Sequence, residues 1–315
     1  MRRRRIGFRR LGVTLPVGTL ALSVFAFNLP ALSGLDPATA TLRARYSDPN
    51  PDPTTIAMLR SELGLDDPAL VRFTRFVWGA VRGDFGLSYT SRLPVGSIAR
   101  RAFVVSLQMI VPAVLIAIVL GTALGALASM WRGPLSNAIG AFCALAASLP
   151  AHVFGPLCVL VFGLWLRLLP TGGWGSLRHV VLPMVILAVG PTATIAEVTR
   201  TEMLAALGEP FIRTAKSKGL GRFGITRHAF AVSRHGVLSI GTVTLTGLLS
   251  GAVLVETVFS VPGLGRFLVD AVRSGDIPAL QCGLLFASIF TLLVGTAADG
   301  LAVLVDPRLR HRVNG

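Results

Sequence analysis

Charge is scarce in this chain. Only 14% of its 315 residues are Asp, Glu, Lys or Arg, against about 25% in ordinary soluble domains. Hydrophobic residues make up 52%, and the mean hydropathy is +0.69. This excludes a soluble globular protein and makes lipid the natural solvent. Cysteine is scarce too. Cys143, Cys158 and Cys282 lie in or at the edge of apolar runs, and an odd number so placed excludes a disulfide framework. No His/Cys spacing fits a zinc site, so no metal is expected. Lysine is nearly absent, with Lys216 and Lys218 its only occurrences. The net charge of +15 would suit nucleic acid only if the cations shared a surface with interleaved aromatics. They flank apolar runs instead, as the cytoplasmic membrane face selects. There is no G-x-x-x-x-G-K-[ST], so the chain does not itself cradle ATP phosphates. The histidines (152, 179, 228, 235 and 311) are scattered and suggest no nucleophile–base–acid set. The chain is expected to have no catalytic residue and to be no enzyme.

Long apolar runs are what is present. Six meet or approach the length a bilayer requires, about 20 residues. They are Leu11–Leu35, Ala102–Trp131, Gly133–Leu166 (starting properly near Asn137), Val180–Ala196, Gly236–Val255 and Ile277–Ala298. In lipid only a helix satisfies the backbone of such a run. The fold class is therefore all-α integral membrane, with six transmembrane helices. "MRRRRIGFRR" and the run after it have the charge order of a signal peptide. The run is too long and no clear A-x-A site follows, so an uncleaved first span is expected. Arg2–Arg5, Arg9 and Arg10 place the N-terminus inside. Six crossings return Arg308, Arg310 and Arg312 to the same side, giving an N-in/C-in topology. "GTALGALA" within the second run supplies small residues for close helix approach.

The expected organisation is residues 1–35, basic N-terminus and first span; 36–101, external segment; 102–307, a core of five spans with an inside loop at 208–235; and 308–315, a cytoplasmic tail. In the external segment "DPATATLRARYSDPNPDP" is expected to be irregular. "LVRFTRFVWGAVRGDFG" sets Phe73, Phe76, Val77 and Ala80 at helical spacing beside Trp78, and is expected to lie on the outer leaflet as an interfacial helix.

The inside loop "GEPFIRTAKSKGLGRFGITRH" (208–228) holds both lysines. Pro210 can open a helix; Phe211, Ile212, Ala215 and Leu220 give it a small apolar face. Gly219 and Gly221 break it, and "RFGITRHAF" can begin a second. Two short helices joined at a glycine are expected. Mere connections are shorter, so the loop is built as a plug for a partner's groove; a solvated basic loop that enforces topology is the alternative. Charges at the span ends also carry two readings. Glu256 either snorkels to the interface or takes the role that the resemblance below implies. Asp299 and Asp306 either pair with arginines or couple to protons.

At "FIRTAKSKGLGRFGITRHAF" the chain resembles the cytoplasmic loop of binding-protein-dependent ABC importer permeases, in the peptide-importer branch. "GAVLVETVFSVPGLGRFLVDAV" (251–272), "DPRLR" (306–310) and "ELGLDDPALVRFTRFVWGAVRGDFGLSY" (62–89) resemble further stretches of that branch in the same order. The resemblance implies a type I ABC importer (MetI-like) permease fold and a multi-pass protein of a bacterial plasma membrane. It implies four kinds of partner: a second homologous permease, two cytoplasmic ATP-binding subunits, an extracytoplasmic substrate-binding lipoprotein, and membrane lipid. Nucleic acid is not among them. ATP and Mg would bind in the partner subunits, with no cofactor on this chain. The cargo implied is short peptides, or nickel chelates or another small solute. The ATPase-coupling loop would comprise Phe211, Ile212, Arg213, Thr214, Ala215, Lys216, Lys218, Gly219 and Leu220. Phe211 and Ile212 would anchor it, and the cations would meet acidic or carbonyl acceptors. An outer gate would comprise Glu256, Phe259, Pro262, Gly263 and Gly265.

The chain departs from the family pattern in four places, one of them after the first span, where "SGLDPATA" stands for the usual proline-glycine-aspartate wording. The loop is about one residue short between Gly219 and His228. Gly236 stands near a usual proline. Glu197 replaces a usually basic residue, where an i,i+3 pair with Arg200 would offset its cost. A proton-coupled secondary transporter, or a polytopic membrane enzyme or scaffold, is the competing class.

Overall fold

The computed structural model describes residues 36–305 except 47, 49, 132, 149 and 150, and scattered positions between 17 and 34. The N-terminal arginines, most of the Leu11–Leu35 run, Asp306 and the 308–315 tail with Arg308, Arg310 and Arg312 lie outside the described residues. So do the side chains of His152, Arg222, Arg234, His235 and Asp299. Along the described chain run α1 (Pro37–Tyr46), α2 (Pro53–Glu62), α3 (Ala69–Arg82), α4 (Val95–Met130) and α5 (Pro134–Ser148). Then come α6 (Ala151–Cys158), continued as π-helical turns over Val159–Trp165, α7 (Leu177–Gly208), α8 (Pro210–Ser217), α9 (Arg222–Val258), α10 (Leu264–Ser274) and α11 (Ile277–Val305). Two compact units result: Met1–Ser106 with Pro262–Leu293, and Leu107–Val261 with Val294–Gly315.

In the first unit the expected irregular stretch is helical over Pro37–Tyr46 and again from Pro53, which corrects the sequence expectation there, while Asp48, Asn50, Pro51 and Asp52 lie outside any helix. Two of its prolines open helices rather than break them. Pro37 and Pro53 take the first helical position, where no amide is needed, and the aspartate before each is the cap. Asp36 accepts from the Thr39 amide at 3.0 Å and hydroxyl at 2.6 Å; Asp52 accepts from the Thr54 amide at 3.2 Å. Ala38, Leu42, Leu59 and Leu65 then form a small core against Ile56, Leu63 and Tyr89. Three arginines of this segment pair with its acids: Arg60 with Asp36 and Asp66, Arg75 with Asp67, Arg92 with Glu62.

In the second unit α7 packs along α9, with α5 and α6 against α7. The small residues of "GTALGALA" are where α4 meets α7. A methyl on Gly121 would sit 2.8 Å from Ile195 Cβ, and one on Gly125 only 2.4 Å from the Ala196 carbonyl. Along α4, alanines face inward (Ala113, Ala117, Ala128), while Val111, Leu115, Val119 and Leu127 face out. Large side chains outward and small ones inward is the packing lipid favours. Cys143, Cys158 and Cys282 are free and buried.

Two further expectations are corrected. The third apolar run is not one straight helix: Pro134–Ser148 and Val153–Trp165 are bent by 111°. The helix after the loop is not short either. It is α9, 37 residues running to Val258, so the second helix of the loop and the fifth apolar run are one element. Among the described residues three helices are long and apolar enough to cross a membrane: Val95–Met130, Leu177–Gly208 and Ile277–Thr296. The bent pair makes a fourth if it counts as one span. At 1.5 Å per residue α7 (32 residues) and α9 extend about 48 and about 55 Å, well beyond a hydrocarbon core of about 30 Å.

Candidate functional site

The elbow between α7 and α9 is built by a few local rules. Glu209 is extended (φ −70°, ψ 149°) and ends α7, and Pro210 starts α8 in the next position. No side chain caps α8 at its start. Its end is closed by two reversed hydrogen bonds. The Leu220 amide donates to the Ala215 carbonyl (3.2 Å), and the Gly219 amide to the Lys216 carbonyl (2.9 Å). This is the Schellman arrangement, which needs a left-handed residue at its turn. Gly219 supplies it at φ +76°. Gly221 then returns to extended geometry (φ −72°, ψ 171°) and leads into α9.

The side chains of α8 are sorted by exposure. Ile212 is only 1% exposed and sits with Met203 and Ala206 of α7 and Ala229 of α9, next to Ala126, Leu207 and Ile225. It is used within the chain, tying the elbow to both long helices. Phe211 is 39% exposed. Arg213, Thr214, Lys216, Lys218 and Gly219 are exposed, with Ala215 and Leu220 half-buried. Thr214 and Ser217 turn their hydroxyls back to the carbonyls of Pro210 and Arg213. Phe223, at the head of α9, is 82% exposed. Sequence reading passed over it, because an aromatic at helical spacing normally belongs to a core. Its place in a basic, glycine-flanked loop was the available signal. The elbow therefore presents Phe211 and Phe223 with Arg213, Lys216 and Lys218 around them, against Glu209 as the nearby acid. Such a surface fits an acidic or carbonyl-rich groove with an apolar floor.

The residues implied as an outer gate fall in both units. In the second, Glu256 is fully buried near the end of α9, so its carboxylate does not snorkel to water. Its carbonyl accepts from the Val261 amide (2.9 Å). Phe259 is buried as well, and its carbonyl accepts from the Gly173 amide at 2.7 Å. In the first unit Pro262 is exposed, while Gly263 and Gly265 are buried. The Leu264 amide at the start of α10 donates to Ser106 Oγ at 2.7 Å. Sequence reading also missed Asp276. It is buried, accepts from the Ser88 hydroxyl and the Thr90 amide, and caps α11 through the Ala279 amide. The signal was there in "DIP", an aspartate before a first-turn proline. Near Glu197, the expected pair with Arg200 forms at 3.8 Å.

Comparison with known proteins gives the same class. Residues 117–311 match the family described as binding-protein-dependent transport system inner membrane component. The glutathione transport system permease protein GsiC of Escherichia coli K12 is 33% identical over 314 residues, covering 96% of this chain and 98% of that protein. The dipeptide transport system permease protein DppB of the same strain is 32% identical over 340 residues, with the same coverage. Among solved structures, an inward-facing MetNI methionine ABC transporter matches with a TM-score of 0.56 at 20% identity. That match covers 66% of this chain and 96% of the other, a likeness of fold.

Proposed function

We propose a function that starts from kinship: this chain belongs to the binding-protein-dependent transport system inner membrane component family. It is a multi-pass permease subunit of the cell membrane, not the ATP-hydrolysing subunit of its system. The cargo we propose is short peptides. The support is the glutathione and dipeptide permeases matched along 96% of the chain. The complex we propose pairs this chain with a second permease over two ATP-binding subunits, with an extracytoplasmic binding protein delivering cargo. Six spans with both ends inside follow from the arginine distribution.

One observation carries the mechanism: α8 is held by the buried Ile212 at the ends of two helices far longer than a bilayer. In our reading Phe211, Arg213, Lys216 and Lys218 dock in a groove of an ATP-binding subunit. Closure of the ATPase pair pushes the elbow. Because Ile212 packs on both α7 and α9, the two helices move with it as levers, giving alternating access by rigid-body motion. Gly219 fixes the angle at which the elbow returns to α9.

The test is charge reversal on the exposed face. Arg213→Glu with Lys216→Glu should leave the permease inserted and folded. Recovery of ATP-binding subunits with the purified complex should fall by about tenfold, the loss of roughly two charge-assisted contacts of about 0.7 kcal/mol each. Undiminished recovery would refute the docking role.

A further inference from the structure

The α3 helix has two apolar sides, and among the described residues only one is occupied. Phe73 and Phe76 pack on Phe27, edge-to-face at 5.2 Å and tilted at 6.5 Å. Phe27 lies within the uncharged run 11–35. The helix is therefore stacked on a segment whose natural surroundings are lipid. Around the adjoining face, Leu70, Trp78 and Val81 recur at one-turn multiples. They are 74%, 60% and 76% exposed. The remaining edge is basic and its charges are already engaged. Arg82 stacks on the Trp78 ring at 4.3 Å, Arg72 lies over Phe27 at 5.8 Å, and Arg75 pairs with Asp67 at 2.9 Å.

We propose that α3 lies in the bilayer–water interface, with Leu70, Trp78 and Val81 turned into the acyl boundary. A protein partner is the weaker occupant, since the stripe's polar groups are the indole N–H and the Thr74 hydroxyl, and that hydroxyl is turned back to the Val71 carbonyl. Lipid needs none. An indole with a guanidinium stacked on it suits the boundary, where the ring enters the apolar layer and the charge stays at headgroup level. The helix would then fix the height of the external segment, because Phe73 and Phe76 hold it to Phe27 while its outer face is held by lipid. This inference rests on the chain being a membrane protein and is independent of how the elbow docks.

The test uses the assembled transporter in phosphatidylcholine–phosphatidylglycerol nanodiscs. A nitroxide is placed singly at Leu70→Cys, Val81→Cys or Arg75→Cys; the native cysteines are buried, so the new thiol labels first. Collisions with oxygen, which concentrates in lipid, are compared with those of a water-soluble nickel chelate. At positions 70 and 81 oxygen collisions should exceed chelate collisions several-fold, with the order reversed at 75. Chelate excess at 70 and 81 would mean a water-facing stripe and would overturn the proposal. Exclusion of both reagents would mean that protein covers the stripe, and would overturn it equally. If a labelled chain fails to assemble, Trp78 fluorescence decides instead. The Trp78-dependent signal, defined by difference from Trp78→Phe, should be lost to lipids brominated on the upper acyl chain and spared by aqueous iodide. Quenching by iodide and not by the brominated lipids would overturn the proposal.

Discussion

Among single residues, two positions carry chemistry that their neighbours cannot replace. Gly219 sits at φ +76°, where a β-branched side chain is strained by about 1–3 kcal/mol. Gly219→Val should therefore open the turn between α8 and α9 while the apolar runs still insert. Membrane levels should stay near wild type and uptake of labelled dipeptide should fall to background; unchanged uptake would remove Gly219 from the mechanism. Tyr89 is the second. Burial pushes its phenol up to about 12, helped by the Asp276 charge and opposed by Arg72 and Arg75. Raised above the ordinary value near 10, the group favours the fold while neutral. That contribution is complete below pH 10 and is lost as pH rises toward 12. With Tyr46→Phe, Tyr89 is the sole tyrosine of the chain. Near-ultraviolet absorbance of the purified protein should then show no phenolate until well above pH 10, with the first unit loosening as it appears. Ionisation near 10 would place Tyr89 in water.

Among the elements, α8 divides its two large apolar residues between two tasks. Ile212→Asp would place a carboxylate in the cluster of Met203, Ala206 and Ala229, an unpaired buried charge costing about 3 kcal/mol or more. We expect the elbow to detach from the long helices, seen as new protease cleavage between Glu209 and Arg222 and a lowered melting temperature. Phe211→Ala, at a partly exposed position, should leave both unchanged and weaken only recovery of the ATP-binding subunits. Equal effects of the two variants would contradict this division. The start and the glycine turn of α8 were open to sequence reading. Pro210 and Gly219 act through their own backbone chemistry, which needs no neighbour. The inward side of Ile212 was not, since a short helix with Phe211 and Ile212 adjacent does not reveal which one meets α7 and α9.

Across the molecule, the charge distribution governs orientation. A phosphatase reporter fused after Arg312 should be inactive and a green fluorescent reporter there bright, as a cytoplasmic C-terminus requires; the opposite pair would overturn the six-span, N-in/C-in reading. Hydropathy located the long helices α4, α7 and α11 because a run of about 20 apolar residues has one solution in lipid. The same measure joined α5 and α6 into one span. It counts apolar residues and says nothing of the 111° bend between the two. Composition likewise misread Pro37–Tyr46 as irregular, where Asp36-Pro37 begins a helix as Asp52-Pro53 does further on.

The solvent, the helical class, the basic elbow and its glycine hinge could all be read from the order of residues. Each follows from properties that a residue carries alone or shares with neighbours a few positions away. Packing in three dimensions was needed to show that Ile212 and Glu256 are buried and that Gly125 lies under the Ala196 carbonyl. The same is true of Asp276, which ties Ser88 and Thr90 to α11, and of the unoccupied apolar stripe on α3. The reason is the surrounding medium. In water an apolar stripe marks the buried side of a helix. In a membrane protein the lipid side is equally apolar, so periodicity no longer reports burial. Ala117 inside and Val119 outside on α4 are told apart by what packs against them.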